Sequence, residues 1–178
     1  MTSKSQRHQG HSDEGRSEVL REAATMMLYV SVVEMAELVS LPEGHFPDGR
    51  ITGPVGAALL AIIWGTAVGL ALAHWFAFRV AAPAFRGESP TIHDNEIGLA
   101  QLGGAVTVAA VSSLPVLFLS DAHAQDTVPG MPAVIIGIIS YLVARASGRE
   151  RFRSACYGVT ALLLGVVVAF AKSRLAAH

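Results

Sequence analysis

Residues 53–78 read GPVGAALLAIIWGTAVGLALAHWFAF, a run of 26 residues without Asp, Glu, Lys or Arg. A helix of this length extends about 39 Å, whereas the hydrocarbon core of a bilayer is about 30 Å thick. A helix on the surface of a soluble protein needs a polar face, and this run offers none. The stretch therefore predicts a transmembrane α-helix.

The remainder of the 178-residue chain repeats this pattern. Hydrophobic residues make up 52% of it and charged residues 15%, against about 25% charged in soluble proteins. We expect an all-α polytopic membrane protein, a bundle of five transmembrane helices in one domain over 21–174. A disordered tail, 1–20, precedes this domain and a short tail, 175–178, follows it. The predicted spans cover about residues 23–41, 53–78, 97–119, 131–146 and 155–171.

The positions of Lys and Arg predict the orientation, because these residues accumulate in cytoplasmic connectors. Five spans place ten of the thirteen basic residues on the side of the N-terminal tail and three on the other side. The ten are Lys4, Arg7, Arg16, Arg21, Arg79, Arg86, Arg145, Arg149, Arg151 and Arg153, and the three are Arg50, Lys172 and Arg174. We therefore expect the N-terminus inside and the C-terminus outside.

The first run, 23–41, differs from the other four because it contains Glu34 and Glu37. An alternative is a helix that lies in the membrane interface instead of crossing it. Without this crossing, however, the basic residues would divide six to seven, and the strong charge asymmetry would have no cause. The charge distribution favours five spans.

Glu34 and Glu37 are three residues apart, so both carboxyl groups project from one helix face. Counted from the inner end of the span, they lie about 18 and 22 Å deep, just beyond the midplane. An ionised carboxylate at this depth costs on the order of 3 kcal/mol by insertion scales. The pair must therefore be protonated, matched by a cation or in contact with water inside the bundle.

This pair supports the leading functional hypothesis, the binding or conduction of a proton or small cation. His74 is a candidate relay, although a structural hydrogen-bonded histidine is the commoner role for such a residue. The alternative is that the helix lies higher in the membrane, with Glu37 at the headgroups and Glu34 paired structurally. Lys172, at the end of the fifth span, is a candidate partner for that pairing.

Small residues recur at every fourth position in two spans, a spacing that favours close helix packing in lipid. The second span carries Ala57, Ala61, Gly65, Gly69, Ala73 and Ala77, and the fifth carries Ala161, Gly165, Ala169 and Ser173. We expect both faces to pack closely against other helices, within one chain or between copies, and contact between the two faces is one such arrangement. A Gly103–Gly104 pair inside the third span also favours helix packing over phosphate binding. The competing functional hypothesis is a non-catalytic structural or accessory subunit that assembles through such faces.

Other functional classes lack support in the sequence. A net charge of −1 argues against a nucleic-acid partner, and the single cysteine, Cys156, excludes an intrachain disulfide. We find no zinc-protease, nucleophile-elbow, P-loop or dinucleotide-binding motif, so we expect no enzyme and no cofactor. Two connectors contain Asp, Glu and His, but nothing fixes their geometry, and we expect no metal site there. These residues are Glu43, His45, Asp48, Asp121, His123 and Asp126.

The stretch 63–79, IWGTAVGLALAHWFAFR, and the use of 11 Arg against 2 Lys resemble small multi-span integral membrane proteins of high-GC bacteria. The resemblance implies a multi-pass protein of the bacterial plasma (inner) membrane. It carries no assigned activity and no site residues. The expected partners are therefore the lipid bilayer itself and either further copies of the chain or another membrane protein.

Overall fold

The structure, a computed structural model, describes residues 3–42, 44–45, 51–86 and 92–176, and the side chains within 15–42, 53–77, 79–80, 95–168 and 170–171. Its helices are α1 (Ser3–Leu38), α2 (Ala57–Arg86), α3 (Ile92–Phe118), α4 (Asp121–Thr127), α5 (Met131–Ala146) and α6 (Arg151–Ala176). A 3₁₀ turn, Val128–Gly130, joins α4 to α5. Two short antiparallel strands, β1 (Gly44–His45) and β2 (Ile51–Thr52), pair in the α1–α2 connection, with Gly44 opposite Thr52.

Four segments of the described residues are long and apolar enough to cross a membrane. They are Ala57–Ala77, Asn95–Phe118, Asp121–Ala146 and Arg151–Val168. This finding confirms the prediction of a helical membrane protein. The third segment contains α4, the 3₁₀ turn and α5. Large apolar side chains on these helices, such as Leu72, Phe76 and Leu117, are exposed, as expected of surfaces that face lipid.

Helix α1 is not among these four segments, because Glu22, Glu34 and Glu37 make it more polar than its neighbours. It nevertheless contacts α2, α3, α5 and α6, and it therefore lies at the centre of the bundle. Its apolar side chains, Met26 and Val30 among them, are buried against those of the surrounding helices. The apolar part of α1, which carries Glu34 and Glu37, is thus enclosed by the other helices.

Helix α1 also begins earlier than the sequence predicts. Residues 3–20, predicted to be a disordered tail, form a continuous helix with the first apolar run. Extending an existing helix avoids the cost of a new nucleus. An ion pair between Arg21 and Glu18, one turn apart at 3.8 Å, adds a small contribution on the exposed surface.

The contacts between helices give their directions. Helices α1 and α3 are parallel, since Glu22 meets Gln101 at one end and Glu34 meets Ser112 further along. Helices α2 and α3 are antiparallel, and α6 is antiparallel to α5. One end of the bundle, which we call the Glu22 end, therefore holds the α2 C-terminus, the α3 N-terminus and the α5–α6 turn. The opposite end, where α1 terminates, is called the Leu38 end.

The α5–α6 turn has a defined geometry because α5 ends in a Schellman motif. Gly148 adopts φ +78, a left-handed conformation that favours glycine. Its amide donates to the Arg145 carbonyl at 3.0 Å, and the Arg149 amide donates to the Ala144 carbonyl at 3.4 Å. This motif fixes where the chain leaves α5 and thereby positions Arg149 at the Glu22 end.

Candidate functional site: a buried carboxyl group between α1 and α3

Glu34 lies in the interior of the bundle, on the face of α1 that packs against α3. The residue is only 1% exposed, and α1 carries Glu37 one turn further toward the Leu38 end. Glu37 is half-buried and reaches α2 instead. The helical spacing of three therefore produces the shared face that the sequence predicts, but the two carboxyl groups have different surroundings.

Glu37 has a specific partner, the Thr66 hydroxyl of α2, which donates a hydrogen bond to Glu37 Oε2. Sequence reasoning missed Thr66. The sequence did contain a feature that points to it: Thr66 has the one hydroxyl group in residues 53–78. It lies about 14 Å from the start of α2, near the middle of a membrane span. This bond links the half-buried Glu37 side chain of α1 directly to α2.

Glu34 has no such partner. Neither of its carboxyl oxygens has a hydrogen-bond partner among the described residues. The Ser112 hydroxyl of α3 is a neighbour of the carboxyl group, but its geometry is not that of a hydrogen bond. The hydroxyl groups of Ser31 and Ser112 are also fully buried, and neither has a hydrogen-bond partner among the described residues. The interior thus contains three polar side chains whose hydrogen-bonding capacity is unused.

Such an arrangement is costly unless something else binds there. A buried polar group without a partner costs about 1–3 kcal/mol. An ionised carboxylate without a counter-charge costs several kcal/mol even after the surrounding protein relaxes. A bound proton, a cation or water inside the bundle would relieve this cost at the Glu34 carboxyl group.

Toward the Glu22 end, the Ser31 hydroxyl lies one turn from Glu34, and the interior beyond it is apolar. Glu22 accepts a hydrogen bond from Gln101 Nε2 at 3.1 Å, and this pair is 12 residues, or about 18 Å, from Glu34 along α1. The interior between the two positions is lined by buried apolar side chains of α1 and α3. They are Met26, Val30, Ala105 and Val108. In the opposite direction, Glu37 and Thr66 lie one turn away and are only partly buried. The site is consequently asymmetric, with a carboxyl and a hydroxyl group on the side of the Leu38 end and a single hydroxyl group, that of Ser31, on the other side.

A close approach of α1 and α3 holds the site together. A Cβ atom placed on Gly104 of α3 would lie 2.7 Å from the Ala23 carbonyl oxygen of α1. Only glycine fits at this distance, so Gly104 serves helix packing as predicted. Its neighbour Gly103 is exposed, with open space beside it. Trp64 of α2 adds a second link, because its Nε1 donates to Ser113 Oγ at 3.1 Å.

The other candidate site residues lie elsewhere. His74 is exposed on α2, eight residues or about 12 Å from Thr66, so the structure does not bring it to the carboxyl pair. The side chain of Lys172, the predicted alternative partner, lies outside the described residues. So do Glu43, Asp48 and the His45 side chain. Within the described part of the chain, no three His, Cys, Asp or Glu residues form a group that could hold a metal ion.

The two small-residue faces have different surroundings. On α6, Gly165 is buried, with Ile136 of α5 and Met35 of α1 at 3.0 and 3.3 Å from its Cβ position. Ala161 packs into the same cluster, whereas the Ala169 side chain is not described. On α2 the whole series faces outward, and nothing lies within 4 Å of the Cβ positions of Gly65 and Gly69. The exposed members are Ala57, Ala61, Gly65, Gly69, Ala73 and Ala77. The two faces therefore do not pack against each other within one chain.

Comparison with known proteins adds no family to this description: no protein-family model, no curated protein and no solved structure matches the chain.

Proposed function

We propose that this protein is an integral membrane protein that binds a proton at the Glu34 carboxyl group, inside a five-span bundle. The observation that carries the proposal is the burial of this carboxyl group, 1% exposed, with neither oxygen hydrogen-bonded among the described residues. Intramembrane carboxyl groups with this degree of burial are typical of proton-binding sites.

The coordination available at Glu34 favours a proton over a metal cation. Ca²⁺ takes six to eight oxygen ligands, and Mg²⁺ requires an octahedral set. The side chains at this position offer two carboxyl oxygens and the hydroxyl groups of Ser31 and Ser112, and the adjoining residues Val30 and Val108 are apolar. A proton needs only one carboxyl oxygen, and the resulting neutral acid can donate to a neighbouring hydroxyl group.

The asymmetry of the surroundings favours binding over conduction. Glu37 and Thr66 provide a polar connection from Glu34 toward the Leu38 end. In the other direction, about 14 Å of apolar interior separates the Ser31 hydroxyl from the polar pair at the Glu22 end. We therefore infer that the proton exchanges with one side of the membrane only.

The parallel packing of α1 and α3 supports the five-span topology. Glu22 pairs with Gln101 near the start of the α3 span, and Glu34 neighbours Ser112 near its end, so α1 accompanies α3 over most of its length. The asymmetry of ten to three basic residues then places the Glu22 end in the cytoplasm. On this topology the proton comes from outside. The resemblance to membrane proteins of high-GC bacteria favours the bacterial plasma membrane as the location.

The experiment compares the wild type with Glu34→Gln and Glu37→Gln in lipid nanodiscs by infrared difference spectroscopy across a pH titration. We expect a protonated-carboxyl band in the wild type that Glu34→Gln removes and Glu37→Gln retains. A band that survives Glu34→Gln would refute the assignment. The same proteins in vesicles should give no steady proton flux; a flux that Glu34→Gln abolishes would replace binding by conduction.

A second candidate function, an accessory subunit that assembles through α2, is favoured by the outward position of the α2 small-residue face. Its test is the assembly state of a Gly65→Leu, Gly69→Leu double variant. Gly103→Leu is the matched control, because Gly103 is an equally open glycine on α3. Assembly that is lost in the double variant and kept in the control supports this candidate. An unchanged state in both variants excludes it.

A further inference from the structure

A groove of about 550 Å³ runs along α6 from the Glu22 end toward the middle of the membrane. Arg149 and Arg153 line its mouth, and Tyr157, Ala161 and Leu164 continue it along the helix. Arg153 and Leu164 are eleven residues apart, or about 16 Å, which is close to half the thickness of the hydrocarbon core. The groove therefore has the polarity and the length of one leaflet, cationic at the surface and apolar below.

The two arginines are available to an anion. The Arg149 guanidinium lies 4.6 Å above the centre of the Tyr157 ring, which orients it over the groove. The Arg149 backbone is fixed as well, since its carbonyl oxygen accepts a hydrogen bond from Arg145 Nη1 at 2.7 Å. Within the described residues neither Arg149 nor Arg153 forms an ion pair. Glu150, the carboxylate closest in sequence, does not line the groove.

A second groove at the Glu22 end serves as a comparison for the charge of the α6 groove. It lies between α2 and α3, measures about 360 Å³, and has a single arginine, Arg79, at its rim. Arg79 Nη2 already donates to Asn95 Oδ1 at 2.7 Å, and its guanidinium lies 5.0 Å from the Trp75 ring. The α6 groove thus has two arginines where the second groove has one. Among the described residues, no side-chain amide accepts a hydrogen bond from Arg149 or Arg153.

From this charge and shape we propose that the α6 groove binds an anionic glycerophospholipid of the leaflet at the Glu22 end. Arg149 and Arg153 hold the headgroup phosphate through charge-assisted hydrogen bonds. One acyl chain follows the apolar part of the groove past Ala161 to Leu164. The site is independent of Glu34, so Glu34→Gln should leave lipid binding unchanged.

The test measures retention of phosphatidylglycerol and phosphatidylcholine by the detergent-solubilised full chain in native mass spectrometry. We expect Arg149→Gln and Arg153→Gln each to weaken phosphatidylglycerol binding about fivefold, the effect of one arginine at an anionic surface. Arg151→Gln is the matched control, because it removes the same charge from the same turn but lies outside the groove. If Arg151→Gln weakens binding equally, the attraction is diffuse and the proposed site is wrong.

The acyl-chain part of the site is tested separately. Leu164→Ala should weaken retention of phosphatidylglycerol, whereas Leu163→Ala, an exposed neighbour outside the groove, should not. Equal effects of the two variants would refute the proposed path of the acyl chain along α6. Soluble glycerol phosphate should bind far more weakly than the lipid, and equal binding would show a phosphate site without a lipid.

Cys156, the single cysteine of the chain, lines the groove and is exposed, so it reports occupancy directly. Phosphatidylglycerol should slow its reaction with a maleimide, and phosphatidylcholine at the same concentration should not. Equal reaction rates in the two lipids would contradict occupancy of the groove. All of these variants change exposed side chains, and circular dichroism verifies that they fold.

Discussion

Replacing Gly104 with alanine should destabilise the protein, because it introduces a methyl group where α1 and α3 are closest. The new Cβ would lie 2.7 Å from the Ala23 carbonyl oxygen and 3.1 Å from Met27 Cγ. The first atom belongs to a helix backbone, so relief requires α1 and α3 to separate by about half an ångström. A gap of this size forfeits a quarter to a half of each dispersion contact across the interface.

We expect a loss of about 1–3 kcal/mol, the usual cost of overpacking a core. At roughly 2–4 °C per kcal/mol for a chain of this size, the midpoint of thermal unfolding should fall by about 2–12 °C. The assay is thermal unfolding of the detergent-solubilised protein, followed by circular dichroism. The matched control is Gly103→Ala, which places its methyl group in open space and should be neutral or stabilising by up to about 1 kcal/mol.

The comparison refutes the reasoning if the two variants unfold at the same temperature. That result would mean that α1 does not pack against α3 at Gly104. The central position of α1, and with it the enclosure of Glu34, would then be wrong. A helix that lay in the membrane interface, the alternative considered for residues 23–41, would produce this outcome.

Three further predictions concern single groups. Thr66→Val removes the hydrogen-bond donor to Glu37 while keeping the shape, and it should lower the free energy of unfolding in denaturant by about 1.5–3 kcal/mol. Thr66→Ser keeps the hydroxyl group and should lower it by less than half as much; equal losses in the two variants would count against the bond. Wild-type thermal stability should decline as pH rises above about 4.3, the ordinary pKa of a glutamate in an unfolded chain, since a folded state that binds more protons than the unfolded state loses stability as pH rises. Glu34→Gln should flatten that decline, and parallel pH profiles of the two proteins would contradict proton binding at Glu34. Gly148→Ala should destabilise the protein by about 1 kcal/mol, because φ +78 is a left-handed conformation that alanine disfavours. Gly130→Ala is the control, since Gly130 has φ −79 and open space beside it; equal melting temperatures of the two variants would argue against the Schellman motif.

Much of the helical architecture was predictable, because apolar length and charge segregation determine which segments enter lipid. The prediction for residues 131–146 matches α5 at both ends, where Pro132 follows the start and Gly148 follows the end. Helix α4 was missed, since seven residues of mixed polarity resemble a connector. The start of α1 was misplaced because hydropathy detects only the apolar part of a helix, whereas α1 also includes the polar residues before it.

The candidate site was predictable in part for a related reason. Two carboxyl groups in an apolar run indicate a buried polar site, and Glu34 is indeed buried. A sequence gives no lateral order of helices, so it could not identify Thr66 and Ser112 as neighbours. The small-residue faces illustrate the same limit, since α2 and α6 share one spacing but only the α6 face meets other helices of the chain.

The central position of α1 has a consequence for biogenesis. This helix leaves the ribosome before α5 and α6, which are among its neighbours. Glu34 can meet α3 before α5 and α6 are made, but Met35 and Ala36 of α1 find their partners, Ile136 and Ala161, only when α5 and α6 arrive. The N-terminal segment therefore depends on C-terminal ones for its final position, and truncation after α3 should leave it without a stable place in the bilayer.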